Sequence, residues 1–195
     1  TTMLRMLAGF ETVDEGRIQL ADRTLASADT HVPPEQRHMA MVFQSYALWP
    51  HMSVADNVGY PIKLRGLRGT AYQQKVQQAL ALVELEAYAE RMPQALSGGQ
   101  RQRVALARCL VSDPSVVLLD EPLANLDRHL RATMEHSFRD FHQRTGATLV
   151  YVTHDQSEAM ALADKIAVMK AGQLVQWGTP ETLYSKPRTA WAAGS

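Results

Sequence analysis

Val116-Val117-Leu118-Leu119-Asp120-Glu121-Pro122 reads as a strand buried on both faces that runs into two carboxylates and a turn. Four consecutive branched apolar residues suit the interior of a parallel sheet, where neither face meets water. The Asp-Glu pair then falls at the carboxyl edge of the strand, where open α/β sheets bind their ligands. Asp120 is a candidate for hydrated Mg²⁺, a hard cation that takes one or two carboxylates together with phosphate oxygens. Glu121 is a candidate to polarise a water for attack on a phosphoryl group. An ordinary strand followed by a polar turn has the same local pattern, so the stretch must be read with its surroundings.

Upstream, Leu96-Ser97-Gly98-Gly99-Gln100 stands before a helix that runs through Val104, Leu106, Ala107 and Leu110 until Asp113-Pro114 stops it. Ser97 is a good N-cap, and two glycines let bare backbone amides approach an anion at the helix start. The bland alternative is a glycine-rich loop that only starts a helix.

The rest of the chain alternates strands and helices, which indicates a largely parallel α/β sheet. Thr1 to Ala8 is helical in spacing, with Gly9 as its C-terminal cap. Short strands are expected at residues 17–21 and 39–43. Residues 53 to about 113 read as helical, with Thr70 and Gln73 forming a capping box before the stripe Val76, Ala79, Leu80 and Val83. Downstream come a helix carrying Leu130, Met134, Phe138 and Phe141 to Gly146, a second buried strand at Thr148–Val152, and a short helix through Ala159 and Leu162. A hairpin across Ala171-Gly172 and a proline-started helix at Thr179-Pro180-Glu181 close the chain. The expected organisation is one domain with core 1–52 and 114–195 and a helical subdomain at about 53–113 inserted into it.

Composition excludes several classes. The 195 residues carry 20 Lys+Arg against 20 Asp+Glu, so no basic surplus exists to hold a nucleic-acid backbone or an anionic bilayer. With 46% apolar and 21% charged residues the chain can build a core. One cysteine, Cys109, excludes an internal disulfide and fits a reducing compartment; on an apolar helix face it reads as packing. No run approaches the ~18 apolar residues of a membrane span, and the first residues lack a secretion signal's apolar core. The opening is read as the middle of a helix with something missing upstream. Trp49, Trp177 and Trp191 read as core or interface residues.

Together these stretches resemble the nucleotide-binding domain of the ATP-binding cassette (ABC) family. Leu96-Ser97-Gly98-Gly99-Gln100 matches the signature motif, and Val117-Leu118-Leu119-Asp120-Glu121 matches the Walker B strand with its catalytic glutamate. In the family's order, Phe43-Gln44 matches the Q-loop, Ala124-Asn125-Leu126-Asp127 the D-loop, and Tyr151-Val152-Thr153-His154-Asp155 the switch-histidine region. The likeness covers essentially the whole chain. It implies a P-loop NTPase (RecA-like) α/β core with an inserted α-helical subdomain.

The resemblance also implies roles. Glu121 and His154 would be catalytic, His154 by hydrogen-bonding a γ-phosphate. Asp120, Gln44 and Thr1 would hold Mg²⁺, and Thr2 would contact phosphate. Ser97, Gly98, Gly99 and Gln100 would close over ATP bound to a second copy of the domain, with Asp127 across the subunit contact. The Gly-x-x-x-x-Gly-Lys loop that cradles phosphates is absent from these residues, as is the aromatic that stacks on adenine. The chain therefore reads as an ATPase fragment with no useful turnover alone. Met41 through Met52 and Gly172 through Glu181 resemble bacterial importers for sugars, polyamines or ferric iron. Such proteins work as dimers on the cytoplasmic face of the inner membrane, bound to permease subunits and served indirectly by a periplasmic solute-binding protein, with no nucleic acid. The helical lobe and the Tyr46–Met52 stretch would receive the permease. Two rival readings are a soluble ABC ATPase of DNA repair or translation and a non-catalytic regulatory module; intact Asp120, Glu121, Gln44 and His154 argue against the second.

Overall fold

In the computed structural model, β4 (Val116–Asp120) is buried at all five positions and lies at the centre of a three-stranded parallel sheet. Its neighbours are β3 (Met39–Val42) and β5 (Thr148–Val152), with Met41 opposite Leu118, Leu119 opposite Tyr151, and Asp120 opposite Val152. The structure describes residues 1–42, 46–124 and 126–185. They fall into two compact units, Thr1–Val152 and Thr153–Ser195.

Strand alternation divides the first unit's core. Val116 and Leu118 face α1 (Thr2–Ala8) and pack against its Leu4 and Ala8, with Met39, Met41, Val150 and Val152 around them. On the other face, Tyr151 meets Phe138 of α5 (Arg128–Thr145) edge-on, the ring centroids 6.2 Å apart. Each leucine or valine sealed in this way contributes about 1.5–3 kcal/mol relative to exposure. β5 is half-buried rather than sealed like β4. The expectation of a second buried strand fails because, among the described strands, β5 pairs on one side only.

α1 stops as its sequence predicts. Gly9 adopts φ +91°, and the Gly9 and Phe10 amides return to the Arg5 carbonyl. Behind it lies Arg37, 1% exposed, whose guanidinium donates to the carbonyls of Met6, Leu7, Val32 and Leu25. It ties α1 to an antiparallel hairpin of β1 (Arg17–Leu20) and β2 (Arg23–Ser27). The sequence reading found β1 and missed β2.

Three helices pack on one another between β3 and β4: α2 (Val54–Leu64), α3 (Gly69–Leu82) and α4 (Gly98–Leu110). α4 also packs against β3. The Thr70–Gln73 capping box does not form. α3 begins two residues earlier, at Gly69, with Arg68 in the cap position and no side-chain cap bond. The Arg68 guanidinium instead donates to the Lys63 and Leu67 carbonyls, closing the turn back onto α2 and leaving Thr70 inside the first helical turn.

The second unit starts with α6 (Gln156–Leu162), capped by the Asp155 carboxylate, which accepts from the Ser157 and Glu158 amides. The predicted hairpin is β6 (Ile166–Lys170) and β7 (Gln173–Gly178), joined by Ala171 and Gly172, both with positive φ as a two-residue turn requires. Thr179 caps α7 (Pro180–Ser185) by accepting from the Thr182 amide. Trp177 is 60% exposed and is no core residue, and Trp191 lies outside the described residues. No helix among the described residues is long and apolar enough to cross a membrane.

Candidate active site

The carboxyl end of β4 is where chain geometry and ligand chemistry meet. Asp120 is 5% exposed, yet its Oδ1 has no hydrogen-bond partner among the described residues. The Thr1 nitrogen lies 3.9 Å from it. A buried carboxylate oxygen left without donors is costly in a folded chain. That cost is relieved by a cation, so the donor set fits a divalent metal such as Mg²⁺. The same contact brings Thr1, at the exposed start of α1, to the acidic end of β4, with Thr2 following as the first helical residue.

Glu121 extends the ladder by one bond, its amide donating 2.9 Å to the Val152 carbonyl, and then leaves it with φ +48°. A left-handed backbone at a residue with a side chain costs on the order of 1–3 kcal/mol and persists only where neighbours enforce it. Here the turn closes through an Ala124 amide to Glu121 carbonyl bond of 3.3 Å, and the Pro122 carbonyl accepts from the Gln102 carboxamide of α4. The half-buried Glu121 side chain thus leaves the sheet edge directly beside Asp120.

The start of α4 is a different structure. Ser97 Oγ accepts from the Gln100 amide at 3.2 Å, and Gln100 Oε1 accepts from the Ser97 amide at 2.9 Å, a reciprocal capping box. Gln100 is therefore occupied in holding the cap. Ser97 and Gly98 are exposed, and a Cβ on Gly98 would meet nothing within 4 Å. Packing among the described residues does not require that glycine. Asp127 is the exposed N-cap of α5, accepting from the Leu130 amide at 2.9 Å. His154 is exposed in the second unit, next to the Asp155 cap. Gln44 lies outside the described residues.

The structure adds Arg108, Asn57 and Gln102, which sequence reading did not single out, the first two as holders of the Tyr46–Met52 stretch that it did. Tyr46 and Ala47, which follow the Q-loop stretch, both have positive φ, and Arg108 of α4 donates to their carbonyls at 2.9 and 2.8 Å. The same guanidinium lies 4.8 Å over Trp49, whose ring is 4.5 Å from that of Tyr60. Fully buried Asn57 accepts from the Trp49 amide and donates to the carbonyls of Trp49, Met52 and Ser53. A cleft of about 400 Å³ beside this loop is lined by Met52, Asp56, Tyr60, Lys63, Leu64 and Arg68. One signal was available for Gln102: it sits in register with buried Ala105, Leu106 and Cys109, a polar side chain on an apolar stripe.

The ABC transporter family model matches residues 1–124. The chain is 50% identical over 194 residues to the diacetylchitobiose uptake system ATP-binding protein MsiK of Streptomyces coelicolor, covering 100% of this chain and 50% of that protein. It is 48% identical to an sn-glycerol-3-phosphate import ATP-binding protein, UgpC, of a Ruegeria species, covering 100% of this chain and 54% of that protein. With the spermidine/putrescine import ATP-binding protein PotA of Marinobacter nauticus it shares 49% identity, over 99% of this chain and 51% of that protein. The chain spans about half the length of the curated relatives it matches. Among solved structures it is similar to the ATP-binding cassette MJ0796, a dimer in a post-hydrolysis state bound to ADP and Pi. The TM-score is 0.81 at 27% identity, over 92% of this chain and 79% of that one. The fold is the α/β fold of P-loop NTPases.

Proposed function

This chain belongs to the ABC transporter family, and on that premise we propose that it is the core of the ATP-binding subunit of a bacterial importer. In this reading two copies stack head to tail, hydrolyse ATP at their shared interface, and drive solute uptake through a membrane permease. The observation that carries the proposal is the end of β4: a buried Asp120 oxygen without a donor, the Thr1 nitrogen facing it, and Glu121 held beside it in a left-handed turn.

Each residue then has a role that its chemistry suits. Asp120 and the Thr1 hydroxyl would hold Mg²⁺, with Gln44 completing the set from the Q-loop. When bound, the metal neutralises charge on the phosphate oxygens. Glu121 takes the proton of the attacking water. His154 is assigned the γ-phosphate contact by its place in the family motif, and Thr2 a phosphate contact at the start of α1. Ser97, Gly98 and Gly99 of one copy close over the nucleotide held by the other, with Gln100 rigidifying that turn and Asp127 near the subunit contact. Bare Gly98, which nothing among the described residues requires, supports a role toward an outside partner.

The helical stretch 53–113 is read as a subdomain inserted into the core, and its cleft at Met52, Tyr60 and Leu64 as the seat of a permease segment. That cleft offers apolar surface edged by Asp56, Lys63 and Arg68, which suits an amphipathic helix. The subunit would sit peripherally on the cytoplasmic face of the inner membrane and meet the periplasmic binding protein only through the permease.

The test is Mg²⁺-dependent ATP hydrolysis by this chain joined behind the phosphate-loop segment of the Streptomyces relative. Glu121→Gln should lower turnover by about 100-fold or more, the scale of removing a general base, while ATP binding persists. Undiminished turnover would give the proton to another residue.

A further inference from the structure

Glu121 is held in a strained backbone conformation, and the groups that hold it can be named. On its amino side the Glu121 amide is fixed to the Val152 carbonyl at 2.9 Å. On its carboxyl side the next carbonyl, that of Pro122, accepts from Gln102 Nε2. Proline has no amide hydrogen, so this part of the turn can be anchored through its carbonyl and not through its nitrogen. The Gln102 carboxamide is 3% exposed, and both its ends are used: Oε1 accepts from the Tyr46 hydroxyl at 3.4 Å. A carboxamide carried on an apolar stripe is retained at the cost of burying polar atoms, and here it reaches 20 residues along the chain to one carbonyl and 56 residues back to one hydroxyl.

We propose that Gln102 is a positioning residue for the catalytic carboxylate, clamping the Pro122 carbonyl so that Glu121 keeps its left-handed turn, with Tyr46 orienting the carboxamide. The inference rests on the reading of Glu121 as the general base. It adds to that reading a residue of α4 that touches neither nucleotide nor water. Without the clamp, the carboxyl side of the turn keeps the longer 3.3 Å Ala124 amide to Glu121 carbonyl bond but loses the anchor at Pro122, and Glu121 relaxes from φ +48° toward ordinary backbone, moving its carboxylate off the water. A misplacement of about 1 Å at a reacting group is enough to cost a large rate factor.

The test uses the ATP-hydrolysing protein described above. Gln102→Met keeps length and bulk but has no donor, and Gln102→Glu keeps the acceptor for Tyr46 but loses the amide donor when ionised. Gln102→Met should lower kcat about tenfold with KM for ATP within about twofold, and the melting temperature should fall by only a few degrees, so that the variant stays folded at the assay temperature. Tyr46→Phe, which removes only the orienting hydroxyl, should lower kcat by about two- to threefold. In a Glu121→Gln background Gln102→Met should cause no further loss in single-turnover rate, because it acts through Glu121. Should Gln102→Met not fold, Gln102→Glu carries the same comparison. A folded variant with wild-type kcat, a rise in KM alone, or a loss that adds in full to that of Glu121→Gln overturns the proposal and leaves the base assignment standing. Undiminished turnover by Glu121→Gln overturns both.

Discussion

The end of β4 and the start of α4 supply opposite kinds of binding surface. At the start of α4 the polar groups satisfy one another, Ser97 and Gln100 exchanging bonds before anything else arrives. At the end of β4 the chain stops short of satisfaction: Asp120 Oδ1 lacks a donor and Glu121 is left-handed. The first surface is finished and rigid, with an exposed glycine that costs the fold nothing. The second holds a carboxylate oxygen without a hydrogen-bond donor among the described residues, and backbone strain. A protein that must bind, react and release benefits from having both, because only the strained half gains stability when ligand enters.

The widest contrast should come from Asp120→Asn. It removes the charge from a buried oxygen without a donor, so the melting temperature without nucleotide should hold or rise, while Mg²⁺-dependent turnover falls about 100-fold or more. A matched loss of stability would mean that the carboxylate is part of the resting fold. Next is Gly98→Ala, which should leave thermal stability unchanged because the added methyl meets open space, yet slow hydrolysis by the dimer by about tenfold. If stability and rate both stay at wild-type values, the α4 start has no partner across an interface. Ser97→Ala should lower stability by about 1 kcal/mol, the usual worth of such a cap, read by urea unfolding. Glu121→Gly should do the reverse, raising stability by about 1 kcal/mol as the left-handed penalty disappears, with turnover lost.

The smallest effect concerns the middle of α4. Burial pushes the Cys109 thiol up to about 12 from 9.0, partly opposed by the neighbouring Arg108 charge, and its Sγ donates 3.2 Å to the Met41 carbonyl. A raised pKa means that the folded state keeps the proton longer than the unfolded one. The thiol's contribution to stability is therefore intact below about pH 9 and is lost between about pH 9 and 12. Cys109→Ala should remove that part of the alkaline decline, and wild-type Cys109 should resist iodoacetamide at pH 8 until denaturant is added.

Much of this was legible in the chain because local rules carry it. Four apolar residues before Asp120 and Glu121 can hardly be anything but a sealed strand, and Ser97 three residues before Gln100 satisfies a helix start without help from elsewhere. Local rules also misled. Thr70 and Gln73 fit the capping pattern, but Arg68 reached back to α2 and moved the helix start. β2 buries two consecutive residues, Leu25 and Ala26, so it lacks the simple alternation that marked β1 and does not declare itself without that partner.

What the sequence by itself determined, then, is the order of strands and helices, the acid pair at a strand end, and the capped glycine turn. Each depends on residues within one or two turns of each other, where covalent connection fixes the geometry. The tertiary structure alone decided that Gln102 holds the Pro122 carbonyl and that Arg108 grips the loop at Tyr46 and Ala47. Those pairings join residues 20 to 62 positions apart, and no local preference selects them. They form because packing the helices on the sheet removes water from each polar group and leaves a distant partner as its way to recover the lost hydrogen bonds.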